Sequence, residues 1–531
     1  MFHRFTLSFV LFSVFIAASL SSHLCAACQQ LDPILDRAQR IELAKQILKP
    51  THAKAVADPQ SEARTIAFTH HWAVIEPNWT AKFLLDNPPK DTRVLWDNKA
   101  MLALMERADE LDEEVVLKLL DHNSQFFVFF NYVERALKAM PPEKKELRKK
   151  ISDLALKAKS KGPVSLQFLN GRLDVARSTG DSKAIQLAEK EVLNFYESGA
   201  AQKNWKAMVK HFNNAPRHQK GSMDFSFANI LRHAPEEFQD DFNVPQANAD
   251  SVHLKTIIYS PGLSVEDLDS PEHQAIMAKK KKQLEQINNY AFGQLPHEYM
   301  QEAADLGRVA YIAPRVALKF AEGAPNGHAK CYAWLSIAPA LSLEDPAAAR
   351  KLIEKCYDEV ANLPQDNRVN QNYNHPPAIV AASGLPIVEF VAPDLLPQCI
   401  KTTVAATGPM KASNLADAEA NLFETVAAIA RYDRVAAEKL YDENKDEVIL
   451  HSAPGFFRAM VALHPDQVLE EFELIPETDE RKINHQIQVR NAILPALLAE
   501  NDDEYWTSLF GSFYIKLEPR VVALKARQKK K

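Results

Sequence analysis

The stretch Asn-Gln-Asn-Tyr-Asn-His-Pro-Pro, residues 370–377, gathers the side chains of this sequence best suited to chemistry. The Tyr373 phenol and the His375 imidazole could pass a proton to and from a substrate, since imidazole titrates near neutrality. Asn372 and Asn374 could hold a substrate carboxylate by hydrogen bonds and so ease removal of a neighbouring proton. The same residues have a plainer use, because Asn and Pro make turns whatever surrounds them. Other strings lead less far. His70 and His71 adjoin, but neighbours on a helix project about 100° apart and do not easily share a metal ion. No Gly-x-Ser-x-Gly elbow, phosphate loop ending in Gly-Lys-Ser/Thr or His-Glu-x-x-His helix occurs. Neither a metal nor a cofactor is expected.

A different chemistry is written in residues 1–27, which carry Arg4, an apolar run from Leu7 to Leu20 and then small residues. That is the pattern of a secretory signal peptide, cleaved after Ala26 or Ala27. The run is short for a membrane span, and no second stretch of spanning length follows. The mature chain is therefore expected to be secreted or periplasmic. Ala26-Ala27-Cys28 also resembles a bacterial lipoprotein box, which would make Cys28 a lipidation site and the chain lipid-anchored. Cys25 departs from that box, where Leu is usual. Gln29 stands where a c-type haem site needs His, which excludes haem. Cys331 and Cys356 could pair in an oxidising compartment or, like Cys399, serve as small buried thiols.

These groups need elements to hold them, and composition narrows the choice. Only 14 of 531 residues are Gly, whereas 31 are Pro. Hairpins and phosphate loops lean on Gly because it reaches positive φ without strain, so the chain reads as all-α. At 46% hydrophobic and 25% charged residues it reads as folded, and its length asks for several domains or a repeat array. Net charge is −6, and the Lys-rich runs at 144–163, 279–282 and 527–531 lack interleaved aromatics. They read as solvated helix faces rather than a nucleic-acid surface.

Proline supplies the repeat. Pro77 and Pro88, Pro314 and Pro325, and Pro465 and Pro476 are each eleven residues apart. In each pair the first proline is expected to open a short helix and the second to stop it. Asp91 and Asp479 are then expected to cap a longer helix, the later one with Ile483, Ile487, Leu494 and Leu498 as its apolar stripe. Looser copies start near Asp112, Asp345, Ala392 and Tyr432. Successive starts at Pro314, Pro346 and Pro393 are 32 and 47 residues apart, the longer step arising from the Asn-rich insertion. Such a period predicts an α-solenoid of stacked antiparallel helical hairpins with repeats of roughly 32–47 residues.

Residues 173–193, with Asp181 in the turn and Ala184 and Ala188 beyond it, resemble a tetratricopeptide repeat, and the Asp-Pro copies resemble HEAT-type hairpins. The likeness covers much of the chain. It implies a binding or scaffold protein whose partner is a protein or peptide, or a polysaccharide, held on a concave face. The alternative comes from residues 372–375, which resemble the sites of secreted (α/α)-toroid polysaccharide lyases in using Asn, His and Tyr. That resemblance implies a carbohydrate-active enzyme, against which stand the six Trp and scarce Gly. The expected organisation is a helical lead-in at 28–57, helical repeats at 58–245, a linker or irregular insertion at 246–270, and further helical repeats at 271–531 with a loop insertion at 363–386.

Overall fold

The computed structural model describes residues 30–57, 62–88, 98–124, 128–159, 165–179, 181–214, 249–259, 268–287, 296–364, 376–407, 415–445, 454–475, 485–511 and 514–528, with single positions and short pairs between them. Among these, regular structure is helical apart from one hairpin of two-residue strands. The chain divides into two compact units, one of residues Arg37–Thr256 and the other of Ile257–Lys531 together with the residues up to Asp36. Residues 28–57, read as one lead-in, are thus shared between the units.

The unit Arg37–Thr256 begins with α1 (Arg37–Ala57), α2 (Glu62–Ile75), α3 (Pro77–Asp86), α4 (Asn98–Met105) and α5 (Glu113–Asn123). It continues with α6 (Phe129–Ala139), α7 (Lys145–Lys157), α8 (Leu166–Thr179), α9 (Ser182–Glu197) and α10 (Ala200–Asn214). Packing skips one helix at a time: α2 lies on α4, α4 on α6 and α6 on α8, while α3 lies on α5 and α5 on α7. Helix α6 illustrates why. Phe129, Phe130, Tyr132, Val133 and Ala136 are buried, a set too wide for one neighbour to cover. Phe130 meets Phe168 of α8 edge-on at 5.0 Å, and the Tyr132 hydroxyl donates to Asn98 Oδ1 of α4 at 2.7 Å. Phe126 and Phe127 of the same aromatic run lie outside the described residues.

Helix α11 (Ala249–Tyr259) occupies much of the span expected as a linker. The span is expected to be a linker or irregular insertion, but Val252 and Leu254 are fully buried and Ile257 and Ile258 nearly so. Tertiary burial on both sides overrides the weak local preference. Thr256 also spends its hydroxyl on the Val252 carbonyl one turn back, at 2.8 Å, which removes its local objection to the helix.

The second unit contains α12 (Pro271–Glu285), α13 (Pro296–Ile312), α14 (Pro314–Ala321), α15 (Gly327–Glu344), α16 (Pro346–Asn362) and α17 (Pro377–Val391). After a 3-10 turn at Pro393–Leu395 come α18 (Leu396–Ala406), α19 (Leu415–Ile429), α20 (Arg434–Asp442), α21 (Pro454–Leu463) and α22 (Val468–Glu473). The unit ends with α23 (His485–Leu498), α24 (Asp502–Phe510) and α25 (Pro519–Gln528). Here too alternate helices meet: α13 on α15, α15 on α17, α17 on α19, α19 on α21 and α21 on α23. Helix α25 comes back to α15 across a long stretch of sequence.

The proline signals fare unevenly. Pro77 and Pro314 open α3 and α14 at the first turn, and Pro88 follows the C-cap Asn87. Helix α14 ends at Ala321, short of Pro325, where the Gly323 amide donates to the Phe320 carbonyl at 3.0 Å. Pro465 does not open a helix. It occupies the second position of a turn closed by the Gln467 amide on the His464 carbonyl at 3.0 Å, and α22 starts beyond it at Val468. Fixed φ suits proline to that turn position as well as to a helix start. The caps Asp91 and Asp479, with Pro476 and Ile483, lie outside the described residues. Other caps are well formed: the carboxylate of Asp345 accepts from the Ala348 amide at 2.9 Å, and that of Asp433 accepts from the Ala436 amide at 3.0 Å.

The insertion is shorter than expected. Strands β1 (Arg368–Val369) and β2 (Asn372–Tyr373) pair antiparallel, Arg368 opposite Tyr373, but residues 377–386 belong to α17. Gly384 and Pro386, which look like loop punctuation, are buried inside this helix. A Cβ on Gly384 would stand 3.0 Å from a Leu335 methyl of α15 and 3.1 Å from the Tyr357 hydroxyl of α16, so the glycine admits a close helix approach.

Candidate functional site

The four residues chosen for chemistry do not form a describable site. Asn372 and Tyr373 are located only as backbone positions of β2, and Asn374, His375 and the lipidation candidate Cys28 lie outside the described residues. The hairpin adjoins the N-terminal end of α17, whereas the concave site described next uses Pro386, Glu389 and Phe390. At 1.5 Å per residue those positions are about 14–20 Å along the helix from Pro377. The hairpin and the cavity are separate features.

That cavity, of about 1170 Å³, lies wholly within the second unit. One wall is built from alternate helices, α13 contributing Gly307, α15 contributing Ser336, Pro339 and Ala340, and α17 contributing Pro386. A register explains the choice of residues. Gly307, Pro339 and Pro386 each stand seven residues before the proline that starts the next helical segment, Pro314, Pro346 and Pro393. A proline inside a helix has no N–H to give the carbonyl four residues earlier, here that of the buried Leu335 in α15 and of the buried Ala382 in α17. Small residues also let backbones approach, and a Cβ on Gly307 would meet the Ser336 carbonyl at 3.2 Å. The Ser336 hydroxyl, buried among these helices, has no hydrogen-bond partner.

The facing wall is built from α24 and the chain that follows it. Asp502, Asp503 and Trp506 come from α24, then Tyr514–Glu518 joins the wall as chain outside any helix, and Val521, Val522 and Lys525 come from α25. Pro519 dictates this turn of events: it restricts Glu518 to extended backbone and then starts α25 at its first position. Ile515 and Val521 are the buried anchors, at 6% and 0% exposure, whereas Lys516 is exposed between them.

Charges line the cavity in pairs. Lys516 reaches Asp503 at 2.8 Å, and Arg520, stacked over the Tyr311 ring at 4.5 Å, pairs with Glu518 at 2.6 Å. Lys525 donates to the Phe390 carbonyl and sits over its ring at 4.3 Å. At the other end Arg431, largely buried, pairs with Asp502 at 2.6 Å and faces the Tyr505 ring at 4.9 Å. Gln30 donates its side-chain amide to Asp502 at 2.8 Å and its backbone N–H to Glu389 at 3.3 Å. The Tyr432 hydroxyl donates to Glu389 at 3.1 Å, and burial, helped by that carboxylate, pushes the phenol well above its usual range. Burial, with Arg520 beside it, brings the Lys280 ammonium down to about 8.

Every carboxylate here accepts from a cation, an amide or a phenol. Elsewhere, Cys331 and Cys356 are free buried thiols on paired helices, each Sγ facing the other's carbonyl at 3.6 and 3.8 Å. No cluster of three or more metal-ligating side chains occurs among the described residues, nor is any described helix long and apolar enough to cross a membrane.

The sequence reading missed the cavity. Its signal was present in the helix-internal prolines, seven residues ahead of the next helix start, but a proline in an apolar run also reads as a break. Compared with family models, curated proteins and solved structures, the chain matches none of them.

Proposed function

We propose that this is an exported, secreted or periplasmic, helical-repeat protein that binds or scaffolds a protein or peptide partner. In this reading each unit is an α-solenoid of stacked helical hairpins. The observation that supports it is the alternation of packing, in which each long helix of the second unit lies on the long helix two along. A hairpin that cannot cover its own apolar side must borrow its neighbours, and the array then offers one long face for an extended partner. Engaged carboxylates in the cavity favour binding over catalysis.

The test takes the mature chain through photo-cross-linking from cysteine-free positions on α13, α15 and α17, followed by mass spectrometry of the product. Cross-links to one polypeptide, with saturable binding of that polypeptide when purified, are expected. The reading is overturned if the purified chain depolymerises uronate-containing polysaccharides and loses that activity on Tyr373→Phe or His375→Ala.

A further inference from the structure

Away from the cavity, the fold sets two thiols face to face. We propose that Cys331 of α15 and Cys356 of α16 are a disulfide site, which closes when the chain folds under the oxidising poise of an extracytoplasmic compartment. This goes beyond the binding reading above and takes from it only the export of the chain, since such bonds persist outside the reducing cytosol.

Helices α15 and α16 meet at Asp345, the C-cap of one and the N-cap of the other, and the chain turns back on itself there. The tripeptide Lys-Cys-Tyr occurs on both helices, at 330–332 and at 355–357. The Cys331 sulfur lies 3.6 Å from the Cys356 carbonyl oxygen, and the Cys356 sulfur lies 3.8 Å from the Cys331 carbonyl oxygen. Each side chain thus rests against the other cysteine's own backbone, so the two converge across the seam, as a disulfide requires. The tyrosine after each cysteine fixes the rotation of its helix. The Tyr332 ring stacks on Tyr299 of α13 at 6.3 Å, and the Tyr357 hydroxyl donates to the Ala381 carbonyl of α17 at 2.8 Å. The thiols are also within hydrogen-bond reach of each other. Bringing the sulfurs to about 2.05 Å therefore asks for side-chain rotation with little shift of the helices.

Both cysteines are fully buried. Burial pushes the Cys356 thiol well above its ordinary value, and the hydrogen bond with Cys331 adds to this, so little thiolate exists once folding is complete. The bond therefore forms while the hairpin is uncovered, and the packing of α13 and α17 on α15 and of α18 on α16 then shields it. One cysteine thiolate attacks the disulfide of an oxidant of the glutathione or thiol-exchange-protein class, forming a mixed disulfide and releasing one oxidant thiol. The second thiolate attacks the first cysteine's sulfur and releases the other. The cysteines lose two protons and two electrons, and the oxidant disulfide becomes two thiols. The closed loop contains Pro339, which leaves α15 one internal hydrogen bond short, and Ser336 and Ala340 of the cavity wall. Constraint of the unfolded chain by the link offsets that weakness.

The experiment unfolds the purified mature chain with reductant and refolds it in a buffer of reduced and oxidised glutathione. Remaining thiols are blocked with N-ethylmaleimide, and unreduced tryptic peptides are read by mass spectrometry. Peptide 331–350 is expected linked to peptide 356–368, with Cys399, whose thiol burial pushes up to about 12, carrying the blocking group. The linked chain is expected to melt about 5 °C above the same chain refolded with reductant, and Cys331→Ala and Cys356→Ala should each abolish that difference. Blocking groups on both Cys331 and Cys356, or a link from either to Cys399, overturn the proposal. A linked form that melts no higher than the reduced chain also overturns it, because the bond then strains the packing it should fit. A chain that closes the bond in this buffer but is recovered from its own cells with both thiols reduced keeps the disulfide site and overturns the export reading instead.

Discussion

Gly171→Ala is expected to destabilise the Arg37–Thr256 unit, against the ordinary rule for helices. Gly171 lies inside α8, where replacement by Ala normally gains up to about 1 kcal/mol from helix propensity. Here the new Cβ would stand 2.5 Å from Phe130 Cγ and 2.7 Å from Phe130 Cβ and Cδ2, all on α6. Those atoms lie near the base of the ring and cannot swing away. Phe130 is itself held by Phe129 at 5.3 Å and Phe168 at 5.0 Å, so α6 and α8 must separate or the ring must leave its rotamer. Overpacking of this kind costs about 1–3 kcal/mol, which outweighs the propensity gain and leaves a net loss of about 1 kcal/mol. Urea unfolding of the full chain, followed by fluorescence and circular dichroism, measures it as a lowered midpoint. A double-mutant cycle sharpens the test. Phe130→Ala alone should cost about 3–5 kcal/mol, and in its background Gly171→Ala should become neutral or stabilising. If Gly171→Ala raises stability in the otherwise native chain, the close approach of α6 to α8, and with it the alternate-helix packing of that unit, is wrong.

Two further outcomes follow from caps and buried charge. Asp345→Ala should cost about 1 kcal/mol, because its carboxylate accepts from the Ala348 amide, whereas Asp112→Ala should cost less since Asp112 makes no such side-chain bond; equal urea midpoints for the two variants would refute the assignment. Glu424, buried against Arg458, has its carboxyl pushed up to about 7 by burial, an effect Arg458 opposes but does not cancel. Because the folded pKa exceeds the unfolded one, the folded state holds this proton more tightly, and stability falls as pH rises through about 4.5 to 7. The loss between pH 5 and pH 8 should be on the order of 2–3 kcal/mol, and Glu424→Gln should remove it. Parallel stability–pH curves for the two proteins would exclude this role.

How far the sequence carried depended on the range of the forces involved. The all-helical fold was legible, because scarce glycine and apolar periodicity act within a few turns of chain. So were several helix starts: Pro77 and Pro314 lie at first turns, and the repeat starts read near Asp345 and Tyr432 fall where α16 and α20 begin, since an N-cap or a first-turn proline acts on its own backbone. The same local signals misled wherever burial from elsewhere outvoted them. Val252 to Ile258 reads as part of a linker or irregular insertion and is helix. Gly384 and Pro386 looked like loop and are helix interior, because α15 presses against them and supplies the packing that a lone helix lacks. Pro465 satisfied a turn as readily as a helix start, a choice that local chemistry leaves open.

What the sequence determined by itself was the kind of element and the rhythm of its breaks. Tertiary structure alone decided which elements share a face. Gly307, Pro339 and Pro386 become one wall only because their helices stack two apart, and the segment after Gly511 faces that wall only because α25 returns to α15. No residue-by-residue preference encodes such meetings, since their energy belongs to surfaces far apart in the chain and exists only once both are in place.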